Sequence, residues 1–246
     1  MKSEFSEQTY GFQVGHEIIS LFESAGCIVD QYHPSTVEEV SKGYDVRIRF
    51  ASPFVARSLF LQYKVSEYLV RSRTMPTPCL RFKISRKNHS AQHNLLVLLA
   101  QSGEDVYYSA PLFHQKAELS FLSQRKKVSE HSLMTNPIEM GPINDPGQHY
   151  VYYHQSTNSA SFLSSPTKIA FSIGAKDLVG KLKSRHIDYD YLSKLHGLLV
   201  ESVESVWKKK VEIPEDVRDR QKINEIAYLL DRFFGASWIL LSFPVS

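Results

Sequence analysis

The order strand, helix, strand within residues 79–113 constrains the fold of this chain more than any other feature of its sequence. CLRFKI (79–84) has strand character, AQHNLLVLLAQSG (91–103) carries leucines at helical spacing and closes at a glycine, and DVYYSAPLF (105–113) is again a strand. A helix between two strands predicts a crossover connection and at least one parallel strand pair. The sequence therefore favours an α/β core over an all-β sandwich.

The residues before this unit predict a further helix and a hairpin. Apolar residues at helical spacing, among them Ile18 and Phe22, predict a helix that Gly26 stops, with a strand after it. DVRIRF (45–50) alternates and SLFLQYKV (58–65) is apolar and then polar, so these two runs are expected to pair as a hairpin. The predicted order of the N-terminal part is helix, strand, hairpin, helix, strand.

Beyond about residue 175 the pattern becomes helical. DYLSKLHGLLVESVESVWKKK (190–210) and EDVRDRQKINEIAYLLDRFFG (215–235) carry apolar residues at three- and four-residue spacing. We see neither an internal repeat nor a long linker. The predicted division is an α/β domain over residues 1–174 and a helical C-terminal region over residues 175–246 packed on it.

Composition narrows the class of protein. With 42% hydrophobic and 22% charged residues, the chain is predicted to be globular, and a net charge of only +3 says little about nucleic acid. Its two cysteines are too few for a disulfide framework or a four-cysteine zinc site. The N-terminus lacks the apolar core of a signal peptide, and the longest apolar runs are too short to span a bilayer. We therefore expect a cytoplasmic protein without a membrane partner.

Three side chains on the predicted hairpin indicate metal-dependent chemistry. Asp45 begins one strand, while Gln62 and Lys64 lie two residues apart on the next and therefore share one face. Mg²⁺ prefers hard oxygen ligands, and it can polarise a phosphate and acidify a bound water. A nearby lysine can position the water or neutralise charge that develops on the phosphate. The alternative interpretation is a strand-start cap for Asp45 and a solvated strand end for Lys64.

The combination of Asp45 with Gln62-Tyr63-Lys64 resembles the active-site pattern of the PD-(D/E)XK nuclease superfamily. The similar variant is the Mrr-like restriction endonuclease, in which glutamine replaces the second acid. The resemblance covers about residues 7–110. Of the glycines that usually surround the aspartate in that variant, this chain keeps only Gly43.

The resemblance implies a fold, a cofactor and a reaction. It implies a restriction-endonuclease-like core, which is a mixed sheet flanked by helices, with a helical C-terminal elaboration. The metal, Mg²⁺ or Mn²⁺, would be held by Asp45, Gln62 and a glutamate of the first helix, for which Glu17 is the first choice and Glu7 the reserve. With Lys64, these residues would hydrolyse DNA. Such a nuclease is expected to be controlled by a regulatory protein partner, as in bacterial restriction and phage defence.

A cluster of basic residues leads into the predicted helix at 91–103. Backbone N–H groups at a helix N-terminus favour phosphate, and basic side chains add to that attraction. Gln92 joins this set because glutamines of the same helix position the lysine or a phosphate in some relatives of the superfamily. A solvated basic strand and loop is the alternative. The predicted nucleic-acid contacts are Arg81, Lys83, Arg86, Lys87, His89 and Gln92.

Other catalytic classes lack their motifs in this sequence. No nucleotide-binding glycine loop or nucleophile-elbow serine occurs, and the His89 and His93 pair lacks the glutamate that a zinc protease helix carries. Two rivals to the nuclease remain open. One is a nuclease-like fold that binds nucleic acid without catalysis, and the other is an interaction subunit whose helical C-terminal third docks on a larger assembly.

Overall fold

The structure is a computed structural model of the chain, and it describes part of the 246 residues. The described ranges are 1–24, 28–32, 55–71, 78–84, 89–144, 147–155, 159–162, 167–170, 185–186, 189–208, 210–213 and 222–243. Within these ranges the chain forms helices and two β-sheets. Asp45, Arg86 and Lys87 lie outside the described residues, as does the whole run 45–50.

Five α-helices occur within the described residues. Their bounds are α1, Glu7–Ser24; α2, His89–Gln101; α3, Lys116–Gln124; α4, Tyr189–Trp207; and α5, Lys222–Leu229. A 3₁₀ turn, Pro137–Glu139, follows the sixth strand, and a π-helical turn, Leu230–Phe234, continues α5. The strands are β1, Ile28–Tyr32; β2, Val55–Tyr63; β3, Glu67–Leu69; β4, Cys79–Ile84; β5, Asp105–Pro111; β6, Ser132–Thr135; β7, His149–Tyr153; β8, Ser159–Phe162; β9, Thr167–Ala170; β10, Arg185–His186; and β11, Ser237–Phe243.

The larger sheet, called the main sheet, is mixed. Its strand order is β1-β11-β2-β5-β6, and the short β10 also pairs with β2. β2 and β5 are parallel, with Leu59 opposite Asp105 and Tyr63 opposite Ser109, while the other pairs are antiparallel. The α/β class and the parallel pair are therefore confirmed. The described neighbours of β2 are β11, β5 and β10, and the predicted hairpin partner at 45–50 lies outside the described residues.

A second sheet was not expected from the sequence. It is antiparallel and has the order β3-β4-β7-β8-β9. The run CLRFKI was expected to be one strand of the crossover, but β4 belongs to this second sheet, so β2 is the parallel partner of β5. The chain changes sheet between Tyr63 and Glu67, over only three residues.

The main sheet separates two hydrophobic cores. The α1 core contains Leu59 and Leu61 of β2 with residues of α1 and α3. The large core contains Phe60 with residues of α2, α4, α5 and the second sheet. Because side chains alternate along a strand, each face of β2 is buried in a different core. Phe60 stacks on Trp238 of β11 at a ring separation of 6.1 Å.

The C-terminal region is not wholly helical. Helix α5 lies within its predicted segment and α4 begins one residue before its own, but β11 follows and lies between β1 and β2 in the main sheet. The run WILLSF (238–243) shows no alternation, as expected for a central strand that is buried on both faces. The last strand therefore completes the same sheet that the N-terminal residues begin.

Buried polar contacts fix α1 against the main sheet. The Tyr10 hydroxyl donates to Ser132 Oγ at 2.7 Å and lies 2.9 Å from Ser109 Oγ, while Ser132 Oγ donates to the carbonyl of Val128. Since Tyr10 has one proton and gives it to Ser132, Ser109 is the donor in the remaining bond. These bonds set the position of α1, and with it the position of Glu7 at its first turn.

Within the described residues, no helix combines the length and the apolar character that crossing a bilayer requires.

Candidate functional site at the end of strand β2

The C-terminal end of β2 lies where the chain leaves the main sheet. The backbone N–H of Lys64 donates to the carbonyl of Ser109 at 2.8 Å, so the parallel ladder with β5 extends to this residue. Ser66, two residues later, is buried and donates to the carbonyl of Pro111 at 2.7 Å. Lys64 is thus held at the junction of the two sheets.

Gln62 lies on the face of β2 that the large core covers. Its Nε2 donates to the carbonyl of Phe234, at the end of the π-helical turn, at 3.0 Å. Lys64 directly follows Tyr63, the last residue of β2, so continued alternation predicts the same face for it. Gln62 is 3% exposed, so this amide is a buried group with a fixed partner.

Lys64 is a partly desolvated cation. Burial lowers the pKa of its ammonium, and the negative charge of Glu7 on α1 partly offsets that effect by raising it. Among the described residues no carboxylate lies within ion-pair distance of this ammonium. A cation that has lost water without gaining an ion-pair partner is well suited to bind an anion.

The N-terminus of α2 lies at the same end of the main sheet. Helix α2 leads directly into β5, which is parallel to β2, so α2 runs opposite to both strands and begins where they end. Lys64 is close enough to the first turns of α2 that its charge lowers the pKa of His93. The helix dipole and Lys64 therefore both favour negative charge at this end.

Gln92 joins Gln62 at this site. A Cβ atom added to Gly235 would lie 2.1 Å from Nε2 of Gln92 and 3.1 Å from Nε2 of Gln62, so both side-chain amides pack against this glycine. The sequence predicted a place for Gln92 near Lys64 or a phosphate. The structure places the Gln92 amide beside the Gln62 amide, and Gln62 is two residues before Lys64.

His93 is a neutral structural histidine. Its Nδ1 lies 2.9 Å from the Tyr108 hydroxyl and its Nε2 lies 2.8 Å from the carbonyl of Gly141. Since a carbonyl only accepts, Nε2 carries the proton and Nδ1 accepts from Tyr108. Burial, aided by His149 and Lys64, lowers the pKa of His93 to about 4 despite the bond to Gly141. Both ring nitrogens are occupied, so His93 is not free to bind a metal.

Stability is expected to depend on pH through His93. The ordinary pKa of 6.5 applies in the unfolded chain and about 4 in the folded chain, so the unfolded state binds more protons as pH falls below 6.5. This histidine should remove about 2 kcal/mol from the free energy of unfolding between pH 7 and pH 5. Urea denaturation at both pH values should therefore show a smaller loss for His93→Gln than for wild type. The exposed His131→Gln is the control, and an equal loss in all three proteins would contradict the assignment.

Glu17 does not take the predicted ligand position. It is buried on α1, and its two carboxylate oxygens accept from the backbone N–H groups of Val128 and Ser129 at 3.0 and 2.7 Å. Helix α1 covers the α1 core, whereas Gln62 faces the large core, so the main sheet separates the two side chains. The reserve choice, Glu7, is the glutamate of α1 whose charge acts on Lys64.

Arg81 is committed to contacts within the second sheet. Its guanidinium bonds Glu67 at 2.8 Å, donates to the Tyr152 hydroxyl at 3.2 Å, and lies 4.1 Å over the ring of Tyr150. A guanidinium with these partners holds β3, β4 and β7 together, and it is less available to a phosphate than the sequence suggested. Lys83 lies on the same face of β4, opposite Tyr150, and is half-buried.

The remaining predicted contacts are only partly visible. Asp45, Arg86 and Lys87 lie outside the described residues, and His89 begins α2 with a side chain that is likewise not described. In the described part of the chain, no group of three or more histidine, cysteine, aspartate or glutamate side chains is arranged to hold a metal ion. The described residues thus do not form the predicted metal site by themselves.

Gly235 is the residue of this site that sequence reasoning missed. The signal available was the glycine at the end of the helical run DRFFG, which marks a helix end but not a contact with Gln62 173 positions earlier. Contacts over such a distance in sequence follow from the placement of β11 beside β2, which periodicity does not reveal.

Comparison with known proteins identifies no family for this chain. No protein-family model matches it, and no match was found among curated proteins or among solved structures.

Proposed function

We propose that this chain is a metal-dependent nuclease that hydrolyses DNA phosphodiester bonds, with a role in bacterial restriction or phage defence. The observation that supports it best is Lys64, a desolvated cation without an ion pair among the described residues, at the shared end of β2 and α2. Gln62 is two positions earlier, and strand alternation continued to Lys64 would give the arrangement that the Q-x-K pattern requires. The function follows the sequence resemblance, and the geometry of Lys64 is compatible with it.

In this proposal different groups bind the phosphate, bind the metal and stabilise the charge that develops during the reaction. The N-terminus of α2 attracts the scissile phosphate, and Lys64 opposes the negative charge that grows on it during the reaction. Gln62 would present an amide oxygen to the metal, and Asp45 would supply a carboxylate. A bound Mg²⁺ or Mn²⁺ would provide a Lewis acid and an acidified water. Desolvation of Lys64 strengthens its interaction with that developing charge.

The proposal is tested by cleavage of supercoiled plasmid DNA in Mg²⁺, in Mn²⁺ and in EDTA. Wild type should cut only with metal, and Asp45→Asn should neither cut nor retain the heat of Mn²⁺ binding in titration calorimetry, because it loses a ligand charge. Glu23→Gln, an exposed residue of α1, is the matched control. Equal cleavage by wild type and Asp45→Asn would rule out this metal site.

The basic residues before α2 are expected to contribute to DNA affinity. Arg86→Ala with Lys87→Ala removes up to two phosphate contacts, so the slope of log affinity against log salt should fall by about 1 to 2. Fluorescence anisotropy between 50 and 200 mM salt measures this slope. Arg81→Ala is the informative comparison, because its guanidinium is engaged by Glu67 and its loss should leave the slope near the wild-type value. An unchanged slope in the double variant would remove these residues from the interface.

A second candidate is a nuclease-like protein that binds nucleic acid, or a larger assembly, without cutting. The observation that favours it is that Glu17 and Arg81, two residues of the predicted site, are used in structural contacts. A regulatory protein partner belongs to either proposal. DNA binding by wild type without cleavage in Mg²⁺ or Mn²⁺ would favour this candidate.

A further inference from the structure

Gly235 ends the π-helical turn in a left-handed conformation. Its φ is +55° and its ψ is +36°, and its N–H donates to the carbonyl of Asp231 at 3.2 Å, while Ala236 donates to Leu230. A glycine with positive φ at a helix end is ordinary on its own. π-Helical turns, in contrast, are rare, and they occur frequently at functional sites.

The space beside Gly235 sets it apart from Gly141, a second glycine with positive φ. Nε2 of Gln92 occupies the position that a Cβ atom would need, at 2.1 Å, and Nε2 of Gln62 is 3.1 Å from it. Gly141 offers the comparison, because its φ is +66° and nothing lies within 4 Å of its would-be Cβ. Backbone strain from a side chain is common to both positions, whereas the collision with the Gln92 amide and the tight contact with the Gln62 amide occur at Gly235 and not at Gly141.

The contact with Phe234 fixes which way the Gln62 amide faces. Only the amide nitrogen can donate to a carbonyl, so Nε2 lies toward Phe234 and Oε1 lies on the other branch of the planar group. Among the described residues no donor binds that oxygen. The bond to Phe234 thus holds the Gln62 amide in one orientation on the turn at Leu230–Phe234.

We propose that Gly235 is a positioning residue for the Lys64 site, because the absence of its side chain lets Gln92 and Gln62 pack together on the π-helical turn with the Gln62 oxygen held in one orientation. The inference rests on the proposed function for its catalytic consequence, but the orientation of the amide stands on the contacts alone. A methyl group at residue 235 displaces Gln92 first, since that amide is nearest, and then disturbs Gln62.

The test compares Gly235→Ala with Gly141→Ala in the full chain. The strain is similar in both, so both should lose a few degrees of melting temperature. Only Gly235→Ala should shift the side-chain amide resonance of Gln62 in an ¹⁵N–¹H spectrum, assigned by its loss in Gln62→Glu. Plasmid cleavage in Mg²⁺ should fall about tenfold or more in Gly235→Ala, with kcat affected more than KM, and stay at the wild-type level in Gly141→Ala.

The double variant Gly235→Ala with Gln92→Ala keeps the test decisive. Removing the Gln92 amide makes room for the methyl group, so the Gln62 resonance should return toward that of Gln92→Ala alone, and the double variant should fold even if Gly235→Ala does not. An unshifted Gln62 resonance in Gly235→Ala, or a double variant as disturbed as the single one, overturns the proposal. If wild type does not cut DNA, the proposed function fails while the resonances still decide the positioning role.

Discussion

Lys64→Ala is expected to reduce Mg²⁺-dependent DNA cleavage by about 100-fold or more while leaving DNA affinity nearly unchanged. The Lys64 ammonium stabilises negative charge that develops only in the transition state, so its loss should lower kcat. Single-turnover cleavage of a labelled duplex, with anisotropy for affinity, measures both quantities. Lys194→Ala, which removes an exposed lysine of α4, is the matched control. Cleavage by Lys64→Ala at the wild-type rate would show that the Q-x-K pattern is a chance match.

Lys64 is also expected to lower the free energy of unfolding. Burial lowers the pKa of Lys64, which means that the folded state disfavours its charged form relative to the unfolded chain. Lys64→Met keeps the length of the side chain without the charge, and it should raise the free energy of unfolding at pH 7. Such a gain in stability together with lost cleavage would identify a residue kept for function. A loss of stability instead would indicate that the ammonium has a structural partner.

Glu17→Ala is expected to lower the free energy of unfolding by about 2 to 5 kcal/mol. The carboxylate accepts from the N–H groups of Val128 and Ser129, and its removal leaves two buried donors unsatisfied. Glu17→Gln retains one acceptor and should lose less. Urea denaturation measures the change, and the exposed Glu23→Ala should stay within about 0.5 kcal/mol of wild type. A stable Glu17→Ala protein with weaker Mn²⁺ binding would instead restore Glu17 to the metal site.

Local patterns in the sequence were sufficient for the elements around the site. Leucine spacing and Gly103 indicated α2, and the order of elements indicated an α/β fold with a parallel pair, which β2 and β5 form. The period of two along a strand indicated that Gln62 and Lys64 share a face, because that relation needs no knowledge of the neighbouring strands.

Relations between distant segments were not accessible in the same way. Glu17 sits in the apolar run GHEIISLF, where a glutamate reads as a candidate ligand, but its partners are N–H groups more than a hundred residues later. Arg81 looked like a phosphate contact until the register placed it opposite Glu67 and Tyr152. β11 gave no periodic signal because both of its faces are buried. The contacts of Glu17 and Arg81 and the position of β11 all depend on strand register or packing, which cannot be read from a single sequence.

The central position of β11 has a consequence for how the protein is made. Ile28 pairs with Ser242, so β1 and β2 acquire the strand between them only after residues 237–243 have left the ribosome. The Gln62 amide likewise gains its bonding partner only after Phe234 has been synthesised. A chain that stops before residue 230 would carry Gln62 without its Phe234 partner and β2 without β11 beside it. If the protein cuts DNA, the order of synthesis itself delays that activity until β11 has been made.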